Sequence, residues 1–63
     1  MNIGYIGLGA MGGALARRLQ QSHPLTVWDV SAAAIDALAK CGAKPAASAA
    51  ALARDCDIVL LCL

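Results

Sequence analysis

Apolar and polar positions along the 63 residues switch between two periods. Asn2 to Ile6 (NIGYI) is a short β-prone run that stops at glycine. From Ala10 to about Gln20, Met11, Leu15 and Leu19 recur at every fourth position with Ala14 beside them, and Arg17, Arg18, Gln20 and Gln21 take the other side. That period predicts an amphipathic helix whose inward stripe is Met11, Leu15 and Leu19. Ser22, His23 and Pro24 punctuate, and Leu25 to Asp29 (LTVWD) reads as a second strand. Ser31 is an N-cap type residue before a second helix reaching about Cys41, with Ile35, Leu38 and Ala39 on one face and Gly42 where a helix ends. Ala43 to Ala46 is a brief third strand whose Pro45 suits a sheet edge. Ser48 caps a short third helix through Arg54. Ile58 to Leu63 (IVLLCL) is unbroken apolar, the pattern of a strand covered on both faces.

The order β-α-β-α-β-α-β predicts right-handed crossovers and a parallel sheet between helices, an α/β Rossmann-type architecture in three layers. Four strands make about half of a doubly wound dinucleotide fold. Residues 1–63 therefore read as the N-terminal part of such a domain. In strand order 3-2-1-4 the last strand is an uncharged apolar edge, so the 63 residues alone are expected to associate edge to edge.

Composition narrows the function. Cys41, Cys56 and Cys62 are odd in number and form no CxxC pair, which fits neither a zinc site nor a secreted disulfide framework. They read as small apolar side chains in a reducing, cytoplasmic setting. Net charge is +1, the basic residues form no stripe, and there are only two aromatics, so nucleic acid is not an expected partner. The uncharged run from Ile3 to Ala16 has its arginines after it, is broken by five glycines and is too short to span a bilayer, which excludes a signal peptide and a membrane span.

Those glycines carry the chemistry. Gly7-Leu8-Gly9-Ala10-Met11-Gly12 is a GxGxxG that follows a strand and opens a helix, the context dinucleotide binding needs. Gly7 permits the tight turn, Gly9 lets a pyrophosphate approach the backbone, and Gly12 lets helix and sheet pack closely. The phosphates then sit at the helix N-terminus, where amides near Ala10 and Met11 lack partners and the macrodipole is positive. Ala16 adds a small contact to the same packing. Asp29 ends the second strand twenty residues after Gly9, where a carboxylate accepts hydrogen bonds from the adenosine ribose and repels a 2′-phosphate. Val30 and Ser31 supply no positive charge, so the sequence favours NAD over NADP. His23 reads as a loop residue, Trp28 as packing, and Asp55 and Asp57 as turn residues.

The stretch Ile3 to Gly12 (IGYIGLGAMG) resembles the N-terminal signature of the β-hydroxyacid dehydrogenases, the group of 3-hydroxyisobutyrate dehydrogenase and, more distantly, 6-phosphogluconate dehydrogenase. Leu8 and Met11 make this more specific than a bare GxGxxG. Val27-Trp28-Asp29, Gly42-Ala43, Ser48 and Asp57 to Leu63 extend the resemblance over the whole chain. It implies reversible hydride transfer between nicotinamide and the hydroxyl-bearing carbon of a short β-hydroxyacid. It also implies a homo-oligomer formed through a C-terminal domain. Leu63 falls at the leucine of a Leu-Pro pair near the nicotinamide ribose. NADP-preferring members often carry Asn-Arg where this chain has Asp29-Val30. The family's catalytic lysine lies on a later helix, so no residue here is assigned a catalytic role, Lys40 and Lys44 included. Two alternatives are an imine or pyrroline-carboxylate reductase, a class that tends to prefer NADP, and a stand-alone non-enzymatic nucleotide-binding module.

Overall fold

Side-chain alternation along the strands sorts the helices into layers. The computed structural model describes residues 1–62, with the backbone alone at Ala10 and Met11. Its elements are β1 (Ile3–Ile6), α1 (Ala10–Ser22), β2 (Leu25–Trp28), α2 (Ala32–Ala39), β3 (Lys44–Pro45), α3 (Ala49–Asp55) and β4 (Ile58–Leu61). The strands form one parallel sheet in the order β3-β2-β1-β4. Tyr5 stands in register with Val27 on one side and Leu60 on the other. Tyr5, Leu25 and Val27 point to one face and are buried there with Leu8, Ala16, Leu38 and Ala43, beneath α1 and α2. Gly4 points to the opposite face, where a Cβ would strike the Leu52 side chain of α3 and come within 3.0 Å of Cys56 Sγ. The result is the expected three-layer α/β Rossmann-type fold.

The inward stripe of α1 is not the one its periodicity predicts. Gly12, Gly13 and Ala16 face the sheet, with Leu19 half-buried, whereas Leu15 is 52% exposed. A helix that must lie close to the strand before it needs its smallest residues at the contact, so burial follows size there rather than hydrophobicity. The helix runs to Ser22, and the His23 amide closes it by donating to the Leu19 carbonyl (2.8 Å).

Both predicted serine caps are present. Ser31 Oγ accepts from the Ala34 amide (3.3 Å) and Ser48 Oγ from the Ala51 amide (3.0 Å). Each meets a donor that the first helical turn leaves unpaired and stabilises its helix by about 1 kcal/mol. Helix α2 stops at Ala39, two residues before Cys41, and Gly42 (φ +100) lets the Ala43 amide turn back onto the Leu38 carbonyl (3.1 Å).

Strand β4 departs from expectation. Its unbroken apolar run predicted cover on both faces, yet Ile58, Leu60 and Leu61 are exposed, Leu61 to 64%. The helices pack over the β1–β3 half of the sheet, and among the described residues only β1 pairs with β4. All three cysteines are free; Cys56 and Cys62 are half-buried, but Cys41 is exposed just beyond the end of α2, against the expected packing role. Among the described residues no helix is long and apolar enough to cross a membrane, and no three His, Cys, Asp or Glu side chains cluster as metal ligands.

Candidate functional site

The C-terminal ends of β1, β2 and β4 meet at the glycine turn. Gly7 leaves β1 with φ +101, a left-handed conformation, and a Cβ there would run into the Cys62 carbonyl oxygen. Its amide donates to the Trp28 carbonyl (3.3 Å). A Cβ on Gly12 would collide with the Gly7 carbonyl oxygen and sit 3.3 Å from Cys62 Cβ. These two glycines are demanded by the protein's own packing. Gly9 differs: it is exposed, a Cβ there would meet none of the described residues within 4 Å, and its φ of −63° and ψ of −171° suit any residue.

Gly9 is also the N-cap of α1, with no side chain to serve the first turn. The first i to i−4 bond runs from the Gly13 amide to the Gly9 carbonyl (2.6 Å). The amides of Ala10, Met11 and Gly12 precede it, at the positive end of the helix dipole. Bare backbone at Gly9 and, beside it, amides that helix geometry leaves without an intrahelical partner make a cradle that fits a pyrophosphate.

Asp29 lies one residue beyond β2 and faces this turn. Its Oδ2 accepts from the Leu8 amide (2.6 Å) and its Oδ1 from the Ser31 amide (2.8 Å). Those bonds, Leu8's first, hold its carboxyl below the ordinary value of 3.8, so it is ionised at neutral pH. An ionised carboxylate has about four lone-pair directions, and two amides leave acceptor capacity for ribose hydroxyls. Val30, the next residue, is 89% exposed and uncharged.

The structure thus brings Gly7, Leu8, Gly9, Gly12, Asp29 and the N-terminus of α1 together. Leu8 takes a part that the motif does not reveal: its side chain is buried in the core and its amide is spent on Asp29. Leu63 lies outside the described residues. His23 is an exposed helix cap. Asp57 Oδ2 accepts from the Asn2 amide (2.7 Å) and the Asp55 carbonyl from Asn2 Nδ2 (3.0 Å), so both aspartates tie the chain at the opposite end of the sheet. Lys40 caps α2 and Lys44 stands on the edge strand β3.

Sequence reasoning missed Gln20. Its Oε1 accepts from the Leu25 amide (2.7 Å) and fixes where β2 begins. A glutamine five residues before a strand, across a Ser-His-Pro turn, was the only signal, and helical periodicity assigned it to solvent.

Two depressions flank the sheet. One of about 600 Å³, lined by Asn2, Leu25, Lys44 and Asp55 among others, lies at the starts of the strands. Ligands of open parallel sheets bind at the carboxyl ends instead. The other, about 550 Å³, is an apolar groove between α1 and β4 lined by Tyr5, Leu15, Leu19 and Leu60.

Residues 2–63 match the NAD binding domain of 6-phosphogluconate dehydrogenase. The chain belongs to this family. The resemblance carried by Ile3 to Gly12 is borne out by two curated relatives. The chain is 45% identical over 62 residues to the 3-sulfolactaldehyde reductase of Escherichia coli, covering 97% of this chain and 21% of the reductase. It is 43% identical over 63 residues to the mitochondrial 3-hydroxyisobutyrate dehydrogenase of Drosophila melanogaster, covering 98% of this chain and 19% of the enzyme. The chain therefore spans about a fifth of the curated relatives it matches. Among solved structures, it superposes on a reductive aminase from Aspergillus terreus in complex with NADPH and ethyl levulinate. There the TM-score is 0.86 and the identity 38%, covering 98% of this chain and 22% of the aminase. The family match and the likeness to a structure holding NADPH both support pyridine-nucleotide binding on this Rossmann-type fold.

Proposed function

We propose that the protein is an NAD-dependent oxidoreductase acting on a short β-hydroxyacid of the 3-hydroxyisobutyrate or tartronate semialdehyde type, with residues 1–63 forming the N-terminal part of its cofactor domain. The observation that carries the cofactor choice is the ionised Asp29 carboxylate beside the glycine turn, with uncharged Val30 and Ser31 after it. A second phosphate on the ribose would meet that negative charge with no cation among the neighbouring residues to offset it. Gly7, Gly9 and Gly12 with the amides of Ala10 and Met11 hold the pyrophosphate, Asp29 holds the adenosine ribose, and Leu63 lies near the nicotinamide ribose. Leu8 positions the turn. When bound, nicotinamide supplies or accepts the hydride. Substrate and the proton-transferring group belong to the domain beyond these residues, where the whole protein, a cytoplasmic homo-oligomer, also dimerises.

A second reading, reduction of a C=N bond, is favoured by the likeness to a reductive aminase whose structure contains NADPH. Asp29 opposes it. Titrating the protein with NADH and NADPH separates the two: NADH is expected to bind about a hundredfold more tightly, as a missing ribose contact and an uncompensated phosphate together imply. Equal affinity would sink the NAD assignment. NADH-linked turnover of a panel of β-hydroxyacids against a panel of cyclic imines then decides the substrate class.

A further inference from the structure

Between the two backbone-permissive residues Gly7 and Gly9, Leu8 is the one position with a side chain, so the turn has little intrinsic stiffness. Three contacts tether it to the rest of the fold. The Gly7 amide reaches the Trp28 carbonyl at 3.3 Å, a long contact, and the Leu8 side chain is buried in the core. The third is the shortest: the Leu8 amide meets Asp29 Oδ2 at 2.6 Å, while Oδ1 is held by the Ser31 amide at 2.8 Å on the β2–α2 connection. Asp29 therefore bridges the loop after β1 to the loop after β2. The next residues of the turn, Gly9 and the opening of α1, present the amides of the pyrophosphate cradle, and Leu8 lies against the same helix through its carbonyl, 3.0 Å from where a Gly13 Cβ would stand.

We propose that Asp29 is a positioning residue for the pyrophosphate turn as well as the ribose acceptor: its carboxylate holds the Leu8 amide and pre-organises the glycine loop for the cofactor. The proposal deepens the dinucleotide reading given above and rests on it. A turn held in its bound shape loses less conformational entropy on binding, so removing the bridge weakens every ligand that uses the cradle, including one that cannot touch Asp29.

The test uses ADP and its 2′,3′-dideoxy analogue, which has the pyrophosphate but no ribose hydroxyls. Calorimetric affinities are measured for the wild-type protein, Asp29→Ala and Asp29→Asn. Both variants remove the charge, and only Asn keeps an oxygen for the Leu8 amide, so their difference isolates the bridge. Asp29→Ala is expected to bind the dideoxy probe about five- to tenfold more weakly than Asp29→Asn does, the loss expected when a pre-organising contact is removed. Equal affinity of the two variants for the probe overturns the proposal and leaves the ribose reading standing. If wild type binds ADP and the probe equally, the ribose reading fails while the Ala–Asn difference still supports the bridge. Amide exchange on ligand-free wild type gives an arm that needs no variant. Leu8 is expected to be protected about as well as Tyr5 and Val27, and an unprotected Leu8 amide overturns the proposal.

Discussion

Substituting alanine at Gly9 and at Gly12 should separate the ligand's demands on the turn from the fold's. At ~0.05–0.15 kcal/mol per residue, these 63 residues account for about 3–9 kcal/mol of net stability. A Cβ on Gly12 collides with the Gly7 carbonyl oxygen, and a backbone oxygen has no rotamer through which to move aside. The cost lies at the top of the overpacking range, about 3 kcal/mol, which removes a third or more of the total. At Gly9 the same methyl enters open space in a backbone conformation that alanine accepts. Stability there falls only by the poorer N-cap, about 0.5–1 kcal/mol. The affinity effects run the other way. If the pyrophosphate rests on Gly9, a methyl between them costs about 1–3 kcal/mol, or roughly 5- to 150-fold in Kd. Urea melts followed by circular dichroism report stability, and NADH titration in the absence of urea reports affinity. Gly9→Ala binding NADH within about twofold of wild type would refute the placement of the phosphates. Gly12→Ala melting with the wild-type midpoint would refute the packing argument.

Three further outcomes follow from the same contacts. Gln20→Ala leaves the Leu25 amide without an acceptor beside a buried residue, so the urea midpoint should fall by an amount equivalent to about 1–3 kcal/mol, whereas Gln21→Ala on the exposed face should not move it. Acid titration should release the turn late. Because the folded Asp29 carboxyl titrates below its ordinary 3.8, its contribution is present in full above that value and disappears as pH falls through the lower folded one; the Leu8 amide shift in NMR should follow that lower transition. Finally, the 63-residue chain should self-associate through β4, and Leu61→Lys should shift sedimentation toward monomer by placing a charge on that edge.

Much of the architecture was legible because local signals agreed with one another. Alternating strand and helix periods, Ser31 and Ser48 as caps, and Pro45 at an edge each specify the same fold, and each stands where its chemistry predicts. The failures share a cause. The inward face of α1 was misjudged because hydrophobicity was taken as the guide to burial, when the close approach of α1 to the sheet selects Gly12 and Ala16 over Leu15. The exposure of β4 was misjudged because an apolar run reports what a strand is suited to, and the neighbours that would cover it are set by tertiary arrangement. Gln20 escaped because its role lies with a backbone amide, Leu25's, which no side-chain pattern encodes, and the bond of Leu8's own amide to Asp29 is hidden from the motif for the same reason.

The glycine motif shows the same boundary between spacing and contact. Spacing alone assigns Gly7, Gly9 and Gly12 to one function, but their surroundings divide them. Gly7 and Gly12 both press on Cys62, a residue fifty positions further on, whose amide is bonded to the Ile6 carbonyl at 2.9 Å. The end of β4 is therefore the floor of the turn. Loosening β4 from β1 would move that floor and disturb both glycines even if the motif itself were untouched. A Cβ on Gly9 would meet none of the described residues, and Asp29 reaches the turn from the end of β2. The cradle is thus built from three strand ends that only the parallel order β2-β1-β4 brings side by side, and Gly9 is the one motif glycine whose missing Cβ no described residue requires.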